Sequence, residues 1–277
     1  MSAALILGGH SFIGQLGNDP PASEAEQRAI VAACLDHGIR GFDTTYQPER
    51  TALGNALHAL GRRAEATILA WNFFTDFAPA DPVGTHAPYR PGAIDAILDQ
   101  LRTDWVDCLV LVPVADREEN ERQVELLEEW RRRGYVRSLG LWVEDGTIVD
   151  HRRHGDVFRF AIRPFNVTTT DAAPVFPAWK AAGWETIATS PFFRGWELDR
   201  IVAAGGERGV LADAMLRFSL FQEGVDHVIV AMRKVEWIAR NLESVARGPL
   251  TPDERRRLLA LRRRAVTKPW WRRLLHR

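Results

Sequence analysis

Short, nearly continuous apolar runs alternate with helical patterns eight times along this chain. No other feature restricts the fold as much. A strand that is apolar on both sides is buried on both faces, as in a parallel sheet covered by helices. Residues 4–7, 39–43, 67–71, 106–112, 136–141, 158–162, 186–189 and 228–230 read as such strands. Helical spacing occupies residues 23–35, 50–60, 121–133, 177–182, 211–221, 235–245 and 252–264, and a further helix is expected from Pro91. Ser23 and Glu26 have the spacing of a capping box, in which a side chain and a backbone amide satisfy each other reciprocally. Gly38, Gly61 and Gly134 stand where helices stop. Residues 73–90 form a long loop rich in proline and aromatics.

Eight strand–helix units within 277 residues predict an α/β fold, a single (β/α)8 TIM barrel over residues 1–250. Residues 251–277 form a C-terminal helical extension, a basic helix and tail expected to pack on the barrel. A doubly wound open sheet is the competing topology. The glycines of Gly8-Gly9-His10-Ser11-Phe12-Ile13-Gly14 suit it superficially, but G-x-G-x-x-G is not met and no helical pattern follows directly.

Charge refines the picture. Basic and acidic residues balance at 36 each, and this neutrality gives no reason to expect nucleic-acid binding. After Glu254, however, there are ten basic side chains and no acid. Arg255–Arg257 and Arg262–Arg264 flank leucines at helical spacing, so the segment is read as folding back on an acidic body rather than lying on a membrane. No apolar run reaches the roughly 18–20 residues of a spanning helix. The first residues lack the pattern of a signal peptide. With two cysteines, Cys34 and Cys108, the expected location is the reducing cytoplasm. The histidines have no metal-binding spacing, so no metal is expected.

Barrel enzymes do chemistry at the C-terminal ends of their strands. The predicted ends supply His10, then Asp43 and Tyr46, then Trp71, Asn72 and Phe73, with Val112, Trp142, Asn166, Ser190 and Arg233 further on. Trp71, Phe73 and Trp142 make an aromatic rim suited to a small, flat or apolar ligand. Trp71, Phe73 and Phe74 read equally well as packing for the long loop over the mouth.

The order of these residues resembles the aldo-keto reductase superfamily. Gly41-Phe-Asp43-Thr-Thr45 leads to Tyr46 and then to Leu53-Gly-Asn-Ala-Leu57, similar to the family's Phe-Asp-Thr-Ala, tyrosine and Leu-Gly-x-Ala-Leu. Asp104-Trp-Val-Asp107, Gly134-Tyr-Val-Arg-Ser-Leu-Gly140 and Ser190-Pro-Phe192-Phe-Arg-Gly195 follow in the family's order. Val228-Ile-Val-Ala-Met-Arg233 with Asn241 resembles its segment for the adenosine end of NADP.

The resemblance implies NADP-dependent reduction of a small carbonyl compound. It implies catalytic Asp43 and Tyr46, and NADP binding by Ser190, Phe192, Gly195, Arg233 and Asn241. It also marks departures. In matching order, Asn72 replaces the family's lysine and Val112 its histidine, while Tyr46 follows Asp43 two residues early. Trp142-Val143, Ile162 and Thr189 stand where the family holds the nicotinamide. Without the lysine, Asp43 is a buried carboxylate with no evident partner, and His10 is a candidate replacement for the lost histidine. Two other functions stay open: a non-redox lyase, dehydratase or isomerase using Asp43, Tyr46 and His10, and a non-catalytic binding barrel.

Overall fold

The computed structural model describes residues 4–14, 20–72, 86–143 and 157–267. Eight parallel strands close into a barrel in chain order. They are β1 (Leu5–Gly8), β2 (Gly41–Thr44), β3 (Thr67–Trp71), β4 (Val106–Leu111), β5 (Val136–Trp142), β6 (Phe158–Pro164), β7 (Glu185–Thr189) and β8 (His227–Val230). Closure comes from β1 pairing with β8 in the register Leu5–Val228, Ile6–Ile229 and Leu7–Val230. The open doubly wound sheet is thereby excluded.

The helices are α1 (Glu24–Asp36), α2 (Gln47–Leu60), α3 (Ala93–Leu101), α4 (Arg117–Arg132), α5 (Phe176–Ala181), α6 (Trp196–Ala203), α7 (Arg208–Leu220), α8 (Val235–Ala246) and α9 (Pro252–Thr267). Local signals set their ends. At α1, the Ser23 hydroxyl accepts from the Glu26 amide and the Glu26 carboxylate accepts from the Ser23 amide at 2.8 Å, completing the capping box. Gly61 ends α2 at φ 66°, in the left-handed region that glycine adopts without strain. The third helix starts at Ala93 rather than Pro91, and α4 starts at Arg117, where Asp116 caps it. The short α6 lies where no helix is expected from sequence.

Alternation of side chains along each strand divides the apolar residues into two cores. Ile6, Leu69, Trp71, Cys108, Val110, Val112, Phe160, Ile162, Ile187 and Ile229 fill the barrel. The opposite faces, including Leu5, Leu7, Ile68, Ala70, Leu109 and Leu111, pack against the helices. On β3 the pleat therefore turns Leu69 and Trp71 inward, and Asn72 follows in the outward phase.

The last helix is tied to the body by a buried cation. Arg217 of α7 donates to Gly248 O (2.7 Å), Pro249 O (2.8 Å) and both Glu254 oxygens (2.9 and 3.2 Å), and also to Asp213 (3.1 Å). Such a buried guanidinium is tolerated only when its donors are met. Leu258 completes the seam as a buried apolar residue. The tail at 268–277 lies outside the described residues. Among the described residues, no helix is long and apolar enough to cross a membrane.

Candidate active site at the barrel mouth

The strand ends bring Asp43, Trp71, Val112, Trp142 and Thr189 to one end of the barrel. Asp43 sits level with Gly8 of β1 and Leu69 of β3. It is buried, and its Oδ1 accepts the indole N–H of Trp71. Burial pushes its pKa up to about 7. The indole bond and His10 pull it down, while the neighbouring charge of Glu49 adds to the rise. Among the described residues, Asp43 makes no ion pair with a lysine or arginine. The hydroxyl of Thr44 donates to Leu69 O at 3.0 Å.

The contact partner of Asp43 from β3 is thus Trp71, not Asn72. Asn72, set against the family's lysine by residue order, does not bond Asp43, and Trp71 gives Asp43 the partner that it lacks in the sequence reading. Asn72 is fully buried, and its amide bridges two strand ends. Oδ1 accepts from Val112 N (3.0 Å), and Nδ2 donates to Val112 O (3.3 Å) and Ala87 O (3.1 Å). Its side chain continues the sheet ladder where β3 and β4 part. Trp142, half-buried, meets Trp71 edge to face with centroids 5.4 Å apart. Phe73 lies outside the described residues.

Tyr46 is buried at the N-terminus of α2, and its ring centroid is 5.7 Å from that of His10. His10 stands on a short 3-10 turn, Gly9–Ser11, directly after β1. Ser11 anchors that turn: its hydroxyl donates to Gly8 O (2.7 Å) and accepts from Met232 N (2.8 Å). His10 Nδ1 lies 3.0 Å from Glu49 Oε1. Glu49 is the residue that sequence reasoning missed. An acid in the first turn of a helix reads as an ordinary response to the helix dipole, and nothing in the pattern announces that this one is completely buried.

The remaining sequence candidates ring the β7 and β8 ends. Asn166 accepts from the amides of Thr168 and Thr169 (2.9 Å each) and donates to Ser190 O (3.0 Å). Ser190, Phe193 and Gly195 have φ of 60°, 45° and 88°, so the loop after β7 turns through the left-handed region three times. Phe192 is half-buried against the core, whereas Phe193 and Trp196 are exposed and meet edge to face. Arg233 donates to Ile13 O (2.8 Å) and Pro20 O (2.7 Å), strapping the segment after β1. Asn241 lies half-buried on α8. The structure therefore gathers His10, Asp43, Tyr46, Trp71 and Trp142 in one group and leaves Asn72 bonded away from it.

Comparison with known proteins matches residues 4–201 to the model of the aldo/keto reductase family. Among solved structures, the aldo-keto reductase AKR11C1 from Bacillus halodurans (holo form) is 18% identical with a TM-score of 0.70, over 93% of this chain and 91% of that one. The glycerol dehydrogenase AKR11B4 from Gluconobacter oxydans is 17% identical with a TM-score of 0.73, over 96% and 93%. The putative aldo-keto reductase PA4992 from Pseudomona aeruginosa is 19% identical with a TM-score of 0.67, over 88% and 90%. No curated protein sequence gives a significant match.

Proposed function

The chain belongs to the aldo/keto reductase family, and we propose that it reduces a small carbonyl compound with NADPH, handling the proton through Asp43, Tyr46 and His10 rather than through a phenol–ammonium pair. The observation that carries this reading is Asp43: a buried carboxyl at the mouth, held by an indole N–H and pushed up to about 7. General acids work best with a pKa near the working pH. With no cation on Asp43 among the described residues, burial brings the carboxyl itself to about neutrality.

Features of the chain support a dinucleotide. Alternation of right- and left-handed residues, as found after β7, is the backbone pattern that turns N–H groups toward one point, and it suits phosphate. That loop leads into α6, whose N-terminus has no side-chain cap. Thr189 Oγ1, at the mouth end of β7, is buried with no hydrogen-bond partner in the described structure, and a bound amide would satisfy it. Ser190, Gly195, Arg233 and Asn241 would hold the phosphate and adenosine end, with Phe192 beside them. NADPH, when bound, supplies a hydride to the carbonyl carbon. The chain's own part is to seat the carbonyl against the Trp71–Trp142 indoles and to deliver a proton to its oxygen. His10 and Tyr46, tilted against each other at 5.7 Å, complete the proton-handling group.

One observation favours a second reading. Trp142, Val143 and Ile162 offer no hydroxyl or amide side chain where the family grips the carboxamide. The same acid–base groups without a dinucleotide would suit a lyase, dehydratase or isomerase acting on a carbonyl compound. Tryptophan-fluorescence titration with NADPH, checked by calorimetry, separates the two. Saturable binding supports the reductase. No binding at millimolar NADPH, with Asp43-dependent turnover of a carbonyl compound, supports the non-redox enzyme.

A further inference from the structure

Glu49 has no assigned part in the reaction above, yet the geometry around it is specific. Its carboxylate is removed from water, and a buried charge persists only when its oxygens are answered. Oε2 accepts from the backbone amides of Thr45 (2.7 Å) and Tyr46 (3.3 Å). Oε1 has no aligned hydrogen-bond donor among the described residues, and His10 Nδ1 stands 3.0 Å away from it. Capping α2 does not by itself demand this burial, because Glu26 does the same work at α1 while exposed to solvent. The neighbouring chain has been cut to fit. A Cβ placed on Gly9 would lie 2.4 Å from Glu49 Oε2 and 2.8 Å from Asp43 O, so position 9 admits no side chain while the carboxylate is there. Arg50, the next residue, is buried too and donates to Thr45 O (3.1 Å) and Gln100 Oε1 (2.6 Å), holding the same turn from the other side.

We infer that Glu49 is a positioning residue: one oxygen orients the imidazole of His10, the other holds the backbone of Thr45 and Tyr46, and the two proton-handling side chains are thereby fixed relative to each other. A carboxylate on Nδ1 selects the tautomer that carries its proton there and leaves Nε2 with the lone pair for proton transfer. Glu49 acts through His10 and touches no substrate. The inference rests on the proposed acid–base role of His10, but its test does not require a substrate.

The test is the tautomer of His10, read from long-range proton–nitrogen correlation spectra of protein labelled with 15N-histidine. In the wild-type protein the neutral ring carries its proton on Nδ1. In Glu49→Gln, which keeps the shape and an acceptor, the Nδ1–H to Nε2–H ratio falls about tenfold, as expected when the carboxylate charge 3.0 Å from Nδ1 gives way to a neutral amide. A wild-type ring protonated on Nε2, or a ratio unchanged in Glu49→Gln, overturns the inference. Should Glu49→Gln fail to fold, the wild-type tautomer alone decides. Once a substrate is in hand, Glu49→Gln lowers kcat with KM held. These spectra stand whether or not NADPH binds, so failure here and failure of the reductase reading are distinguishable.

Discussion

Replacing Asp43 by asparagine tests the electrostatics of the mouth through folding alone. In the folded protein the carboxyl titrates at about 7, against 3.8 for an ordinary aspartate. Between these values the native state holds a proton that the unfolded chain has lost, so stability falls as pH rises through this window. About three units at 1.36 kcal/mol each give a cost of about 4 kcal/mol above pH 7, absent below pH 4. The amide of the Asp43→Asn variant has no charge to desolvate, and its oxygen still accepts the Trp71 N–H. The assay is urea unfolding at intervals from pH 4 to pH 8. Going from pH 4 to pH 8, the wild-type protein loses about 4 kcal/mol more than Asp43→Asn. Other shifted carboxylates, such as Glu65 and Glu254, held low by arginines, contribute equally to both proteins and cancel in the difference. If the two pH profiles superimpose, or the wild type gains relative to the variant, the reasoning about a buried carboxyl raised by desolvation is refuted.

Other expectations follow from single contacts. Asn72→Leu strands the buried backbone of Val112 and costs about 2–4 kcal/mol in urea unfolding. A group acting on substrate would instead show a loss of kcat out of proportion to any loss of stability. Gly54→Ala drives a Cβ to 2.4 Å from Gln100 O, a backbone atom that cannot turn aside. Thermal unfolding registers it as a loss of about 1–3 kcal/mol, with the α2–α3 contact as the site of strain. Gly9→Ala pushes on the Glu49 carboxylate, and the His10 tautomer ratio shifts in the same direction as in Glu49→Gln. An unchanged spectrum there speaks against the close approach.

The barrel was legible because its signals are local and redundant. Buried parallel strands read as apolar runs, and the Ser23–Glu26 box and Gly61 mark helix ends that the structure reproduces. The strand-end rule then placed His10, Asp43, Tyr46, Trp71 and Trp142 together without further help. What was not legible was finer. Matching Ala70-Trp71-Asn72 by order sets Asn72 against the family's lysine but does not say which side chain meets Asp43, because side chains on a strand alternate and one residue along the chain reverses the face. The pleat gives Trp71 the interior and sends the Asn72 amide to Val112. Glu49 escaped notice because the pattern of an exposed helix-start acid and a buried one is the same in one dimension. Only the approach of Gly9 and His10 from β1 distinguishes them. Helix α6 was lost for a related reason: eight residues that open on an exposed tryptophan carry too little periodicity to stand out from a loop.

The most direct test of an Asp43 carboxyl without an ion-pair partner among the described residues is its own titration, followed by carbon NMR in aspartate-labelled protein and assigned by its disappearance in Asp43→Asn. A midpoint of about 7, moving higher still in Trp71→Phe as the indole N–H is withdrawn, is the predicted result. A midpoint at or below 4, indifferent to Trp71, would mean that a cation stands beside this carboxylate after all and would contradict the account.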